Sequence, residues 1–207
     1  MCRSSVASGA KAAALPEAPT SSDAGKVGPG RLVLVVGPSG AGKDTLLDGL
    51  RARLKDRVDV QFARRAITRE ADAGSEDHDT LSQKEFDHLV ETGNVALAWS
   101  AHDLGYVIPV RYDDAIRAGG TVIANGSRRA LPRAFAKYQS VAVLLITAPI
   151  EVLAERLASR GRESREAIEK RLKLADLEIG ETEHVIRIEN TGTVEDGVAE
   201  IFKQLEF

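Results

Sequence analysis

A chain of 207 residues, 43% hydrophobic and 29% charged, is long enough for one sizeable α/β core with small inserted subdomains. Its formal net charge of −3, with no basic amphipathic stretch, argues against a nucleic-acid or membrane-surface binder, and no apolar run approaches a membrane span. The single cysteine, Cys2, rules out an internal disulfide, and a cytoplasmic protein is the expectation.

Residues 1–30 are rich in Ala, Ser, Gly and Pro, show no sustained periodicity and lack the apolar core of a secretory signal. They read as a disordered N-terminal extension to a domain spanning 31–207. The domain opens on an apolar, β-branched run, Leu32 to Val36, which reads as a buried strand. It runs directly into Gly37-Pro38-Ser39-Gly40-Ala41-Gly42-Lys43-Asp44-Thr45. Leu46, Leu47, Leu50 and Leu54 then recur at helical spacing. Strand, glycine loop and helix in that order are the context a phosphate-binding loop requires. Glycines let the backbone turn its N–H groups inward, the helix start favours negative charge, and Lys43 adds a full positive charge. Without a ligand the same pattern would be only a tight turn. Asp44 stands where Ser or Thr is usual and Thr45 follows one place late, so Thr45 is the candidate metal ligand and the role of Asp44 is open.

The first helix should reach about Lys55, and Val58–Ala63 reads as a second strand. Arg64, Arg65 and Arg69 follow it, then a polar loop to Thr80. Ser82 and Glu85 form a capping box for a helix that ends near Gly93. Asn94–Trp99 reads as a strand, Pro109 as a helix start, and Thr121–Ala124 as a strand ending at Asn125. A helix interrupted by Pro132 leads to the strand Val141–Thr147. Pro149 opens a long helix to Arg160, Ser164 another to about Gly180, and His184–Glu189 is the last strand. Thr193 and Asp196 cap a final helix. Alternating strands and helices predict a mostly parallel five-stranded sheet with helices on both faces.

In order and content these motifs resemble the guanylate kinase-like branch of the P-loop nucleoside monophosphate kinases, across residues 31–205. Thr68-Arg69, Phe86, Trp99, His102 and Tyr106 resemble that branch's acceptor-binding segment, so 64–108 is expected to be an acceptor-binding insertion. Arg156, Arg160 and Arg171 resemble its lid, over 156–172, whose arginines close on the transferring phosphate; Ile188–Gly192 lies where such kinases pass the adenine. The departures are specific. The Tyr that binds phosphate there is His78 here, and two acids that read guanine are Ala98 and Asn125. Gly-Lys-Asp-Thr, Glu76-Asp-His78, His102-x-Leu-x-Tyr106-x-Ile-Pro109 and Asn125-Gly-Ser-Arg128 together are similar to the ribose 1,5-bisphosphate phosphokinases of phosphonate utilisation.

That resemblance implies transfer of the γ-phosphoryl group of ATP, with Mg²⁺, to the 1-phosphate of ribose 1,5-bisphosphate, forming 5-phosphoribosyl 1-diphosphate and ADP. It implies Lys43, Arg156, Arg160 and Arg171 as catalytic residues. Arg65, Arg69, His78, His102, Tyr106, Asn125 and Arg128 are then the candidates for the sugar phosphate. Of 28 basic residues 19 are Arg, the planar fork suited to phosphate oxygens. A surface salt bridge is the competing account for Arg64, Arg65 and Arg69, helix-surface solvation for Arg128 and Arg129, and simple packing for Tyr106 and Trp99. The partners expected are ATP and a sugar phosphate, with no nucleic acid and no membrane; a homodimer is compatible with the sequence. Two rival readings stand beside this one: a nucleoside monophosphate kinase and a non-catalytic guanylate kinase-like interaction module.

Overall fold

The computed structural model describes residues 25–69, 78–101, 103–159 and 185–207. The strand begun at Val27 is longer than the apolar run alone indicates. β1 covers Val27–Val36 and is followed by α1, Lys43–Arg53, and β2, Val60–Ala63. A second set of strands comes next: β3, Ala66–Ile67; β4, Asp79–Thr80; β5, Val95–Ala101; and β6, Leu104–Pro109, with α2, Gln83–Glu91, between β4 and β5. The chain continues through α3 (Arg111–Arg117), β7 (Thr121–Asn125), a 3₁₀ turn at Arg128–Ala130, α4 (Leu131–Lys137), β8 (Tyr138–Thr147) and α5 (Ile150–Ala158). It ends in β9, Val185–Glu189, and α6, Val194–Gln204.

The central sheet has five strands in the order β2-β7-β1-β8-β9, and each neighbouring pair is parallel. β1 lies in its middle, which explains its unbroken apolar run: a strand covered on both faces needs no polar side. Val33 and Val35 face one cluster with Leu46, Leu50, Ile146, Leu153 and Ile201. Leu32, Leu34 and Val36 face the other, with Tyr112, Ile116, Val143 and Tyr138. The smaller sheet, ordered β4-β3-β6-β5, is built from residues 66–109.

A polar network around the buried Asp113 fixes this smaller sheet to the core. Lys137 Nζ lies 2.7 Å from an Asp113 carboxylate oxygen and donates to the carbonyls of Val95 and Ala96 at 2.9 Å. The Tyr138 hydroxyl donates to Asp113 at 2.7 Å. Burial, with the Asp113 carboxylate beside it, raises the Tyr138 phenol well above its ordinary value, so it stays a donor.

Several expectations need correction. Residues 27–30, assigned to the extension, belong to β1: Val27 pairs with Tyr138, and Gln139 donates to the Lys26 carbonyl. Gly28-Pro29-Gly30 has little strand propensity, and pairing with β8 overrides it. Pro109 ends β6 opposite Val95 instead of starting a helix; at a strand end its missing N–H breaks little. Pro132 sits in the first turn of α4, where the missing N–H is harmless, so it opens that helix instead of interrupting it. Val58 is 97% exposed and lies before β2. Asp79–Thr80, placed in a polar loop, pairs with β3 through backbone contacts that its side chains do not announce. Both capping boxes, Ser82 with Glu85 and Thr193 with Asp196, form as expected. The extension before residue 25, His102, Arg160, Arg171 and the helix expected from Ser164 lie outside the described residues. No helix among the described residues is long and apolar enough to cross a membrane.

Candidate active site

The phosphate loop leaves β1 at the carboxyl edge of the parallel sheet, the edge where ligands bind in open α/β folds. Two glycines are imposed by close approach. A Cβ on Gly37 would strike the carbonyl oxygen of Ile146 on β8. One on Gly42, which has φ 83°, would strike the side-chain amide of Asn190. Gly42 is also the residue before α1, so this left-handed turn points the first N–H groups of the helix into the loop. Lys43 Nζ donates to the carbonyls of Gly37 and Pro38, both at 3.0 Å, which holds its ammonium over the loop's opening turn.

Two further strands deliver polar groups to this loop. Asn190, just past β9, donates from Nδ2 to the Ala41 carbonyl at 2.8 Å, while its own carbonyl accepts from Arg156 Nη2 at 3.0 Å. Arg156 comes from α5, and its Nη1 is buried with no hydrogen-bond partner among the described residues, close beside Gly42. Leaving such a donor unmatched costs about 1–3 kcal/mol, so its position is one that an anion would satisfy. Asn125 closes β7, in register with Val35 of β1, and donates from Nδ2 to Asp44 Oδ1 at 2.7 Å. Lys43, Asp44, Asn125, Arg156 and Asn190 thus surround one loop. The first four were singled out in the sequence. Asn190 was not, although the segment holding it was; its signal is a buried amide directly after a strand at the ligand-binding edge.

The remaining candidates fall on the smaller sheet and beside β7. Arg65 is buried, with its guanidinium 5.4 Å from the Tyr106 ring centre and 5.9 Å from that of Trp99. Those two rings are stacked, 5.4 Å apart and within 1° of parallel, so Tyr106 packs as well as presenting a hydroxyl. Arg69 Nε is buried without a hydrogen-bond partner among the described residues. His78 is buried, and its Nε2 lies 3.3 Å from the Arg69 carbonyl, so it supports the segment that carries Arg69. Arg128 is half-buried in the turn after β7. Neighbouring arginines have local structural tasks: Arg64 pairs with Asp79 at 2.8 Å, and Arg129 donates to the Ser100 carbonyl at 3.0 Å.

Comparison with known proteins fits this arrangement. A family model described as an AAA domain matches residues 33–175. The ribose 1,5-bisphosphate phosphokinase PhnN of Agrobacterium fabrum is 44% identical over 175 residues, covering 84% of this chain and 96% of the relative. The protein of the same name from Rhodopseudomonas palustris is 51% identical over 146 residues, covering 70% of this chain and 75% of its own. In fold, the crystal structure of guanylate kinase from Anaplasma phagocytophilum superposes with a TM-score of 0.61 at 17% identity, over 86% of this chain and 85% of that one. The architecture is therefore that of a P-loop kinase. With identities of this size over three quarters or more of its relatives' length, the chain belongs to the ribose 1,5-bisphosphate phosphokinase family.

Proposed function

We propose that the chain transfers the γ-phosphoryl group of ATP to the 1-phosphate of ribose 1,5-bisphosphate, giving 5-phosphoribosyl 1-diphosphate and ADP. An oxygen of the acceptor's 1-phosphate attacks the γ-phosphorus, a new P–O–P bond forms, and the bond to the ADP oxygen breaks. The attacking group is already anionic, so no general base is required, and the protein's task is position and positive charge. Lys43 and the loop N–H groups cradle the outer phosphates of ATP, and Arg156, anchored on Asn190, approaches them from α5. Arg69, supported by His78, with Arg65, Tyr106 and Arg128, takes the phosphates of the sugar; His102 joins this set, and Arg160 and Arg171 join Arg156.

Magnesium accompanies ATP in this reading. The oxygen donors beside Lys43, the Asp44 carboxylate and Thr45 hydroxyl, are of the hard kind it takes, and the buried Oδ1 of Asn125 has no donor among the described residues. Held there with the nucleotide, it would offset the negative charge of the phosphates during transfer.

The observation that carries the choice of acceptor is the chemistry of two positions. A buried guanine needs acceptors for its ring N–H and amino groups. Ala98 has no polar side chain, and Asn125, whose NH₂ is committed to Asp44, offers at most one uncharged acceptor, its Oδ1, where a guanine-reading pocket needs carboxylates. The test is direct. With ATP and Mg²⁺, phosphorus NMR should show a new sugar diphosphate as ADP appears from ribose 1,5-bisphosphate, and little ADP with GMP. Faster conversion of GMP would make the chain a nucleotide kinase.

A further inference from the structure

Asp44 and Asn125 face each other across the strand end and the loop, and this pairing has a consequence that the general phosphate-loop chemistry leaves out. Asn125 Nδ2 donates to Asp44 Oδ1 at 2.7 Å. Reversing the amide would set two oxygens against each other, so the bond fixes which end is which. Asn125 Oδ1 is then left buried with no donor among the described residues, on a side chain only 6% exposed. An acid in the first turn of a helix is favourable to the helix dipole, but that accounts neither for this partner nor for the orphaned oxygen. Moreover, a carboxylate directly after the phosphate-binding lysine repels the phosphates unless a cation lies between them. In P-loop proteins generally, a hydroxyl on the loop and a carboxylate at a strand end hold that cation. Here the loop bears the carboxylate and β7 ends in the amide, so the charge has changed sides.

We propose that Asp44 is the carboxylate through which this chain holds the nucleotide's divalent cation, directly or through water, and that Asn125 is the residue that positions it. The inference rests on the phosphate-loop reading and is independent of the acceptor's identity. The test titrates Mn²⁺ into the full chain with ADP and follows free Mn²⁺ by electron paramagnetic resonance. Asp44→Asn should weaken Mn²⁺ binding roughly 10–100-fold. Its affinity for ADP in excess EDTA should equal or exceed that of the unmodified chain, because a charge that repels phosphate is gone. Asn125→Ala should lower Mn²⁺ affinity by a smaller factor, and Thr45→Val by less than Asp44→Asn. Asp44 is exposed, so the variant should fold; if circular dichroism shows otherwise, Asp44→Ala provides the same comparison. Unchanged Mn²⁺ affinity in the Asp44 variant, or a larger loss in Thr45→Val, overturns the proposal. An unmodified chain that bound no ADP would instead bring down the phosphate-loop reading and this inference with it.

Discussion

Asn190 and Gly42 are matched to each other. The amide that secures the Ala41 carbonyl occupies the space a Gly42 side chain would need, so either residue changed alone disturbs the loop. Asn190→Ala leaves the Ala41 carbonyl without its donor, a loss of about 1–3 kcal/mol. Calorimetry should register it as a fall of roughly 2–4 °C per kcal/mol. Gly42→Ala should lower both melting temperature and ADP affinity, because it forces the collision and strains a left-handed turn. Lys43→Ala is different in kind. Its ammonium donates to the loop carbonyls of Gly37 and Pro38 and lies outside the hydrophobic core, so the fold should survive, while turnover falls by about 100-fold or more. Near-normal turnover in that variant would remove Lys43 from the catalytic set.

At the scale of elements, α2 carries a measurable signature. The Glu85 carboxylate accepts from both the N–H and the hydroxyl of Ser82, at 2.7 Å each, and these bonds hold its pKa below the ordinary 4.5. A depressed carboxyl stabilises the folded helix above the ordinary value, and that contribution is lost as the pH falls through the depressed one. Carbon NMR should therefore find the Glu85 midpoint below 4.5 and return it towards 4.5 in Ser82→Ala. Hydrogen exchange at the start of α2 should quicken over the same acid window. The Ser-x-x-Glu spacing made this cap legible from sequence, because both partners lie within one turn. Pro109 shows the opposite case: a proline can open a helix or end a strand, and only the pairing with Val95 decides between them.

For the whole molecule, the start of β1 is the point where sequence and structure part most clearly. A chain beginning at Lys26 and one beginning at Arg31 differ only by the residues that run beside Tyr138 and Gln139. The shorter should melt several degrees lower, given roughly 2–4 °C per kcal/mol for a chain of this size. Equal melting temperatures would show that Val27–Gly30 adds nothing to the sheet.

The phosphate loop, the alternation that makes a parallel sheet and both capping boxes were legible in the residues alone, and the departures from a guanine-reading pocket in their resemblance to guanylate kinases. These are local signals: glycine spacing, apolar period and the identity of single side chains. Tertiary structure decided what lies far apart in the chain. It set Asp44 against Asn125, hung Arg156 and the Ala41 carbonyl on Asn190, and laid Arg65 over Tyr106 and Trp99. Each of these depends on strand order and register, and a parallel sheet joins strands whose connection runs through a helix and many intervening residues. The residue types were visible in the sequence, but their partners exist only once β7, β1, β8 and β9 lie side by side.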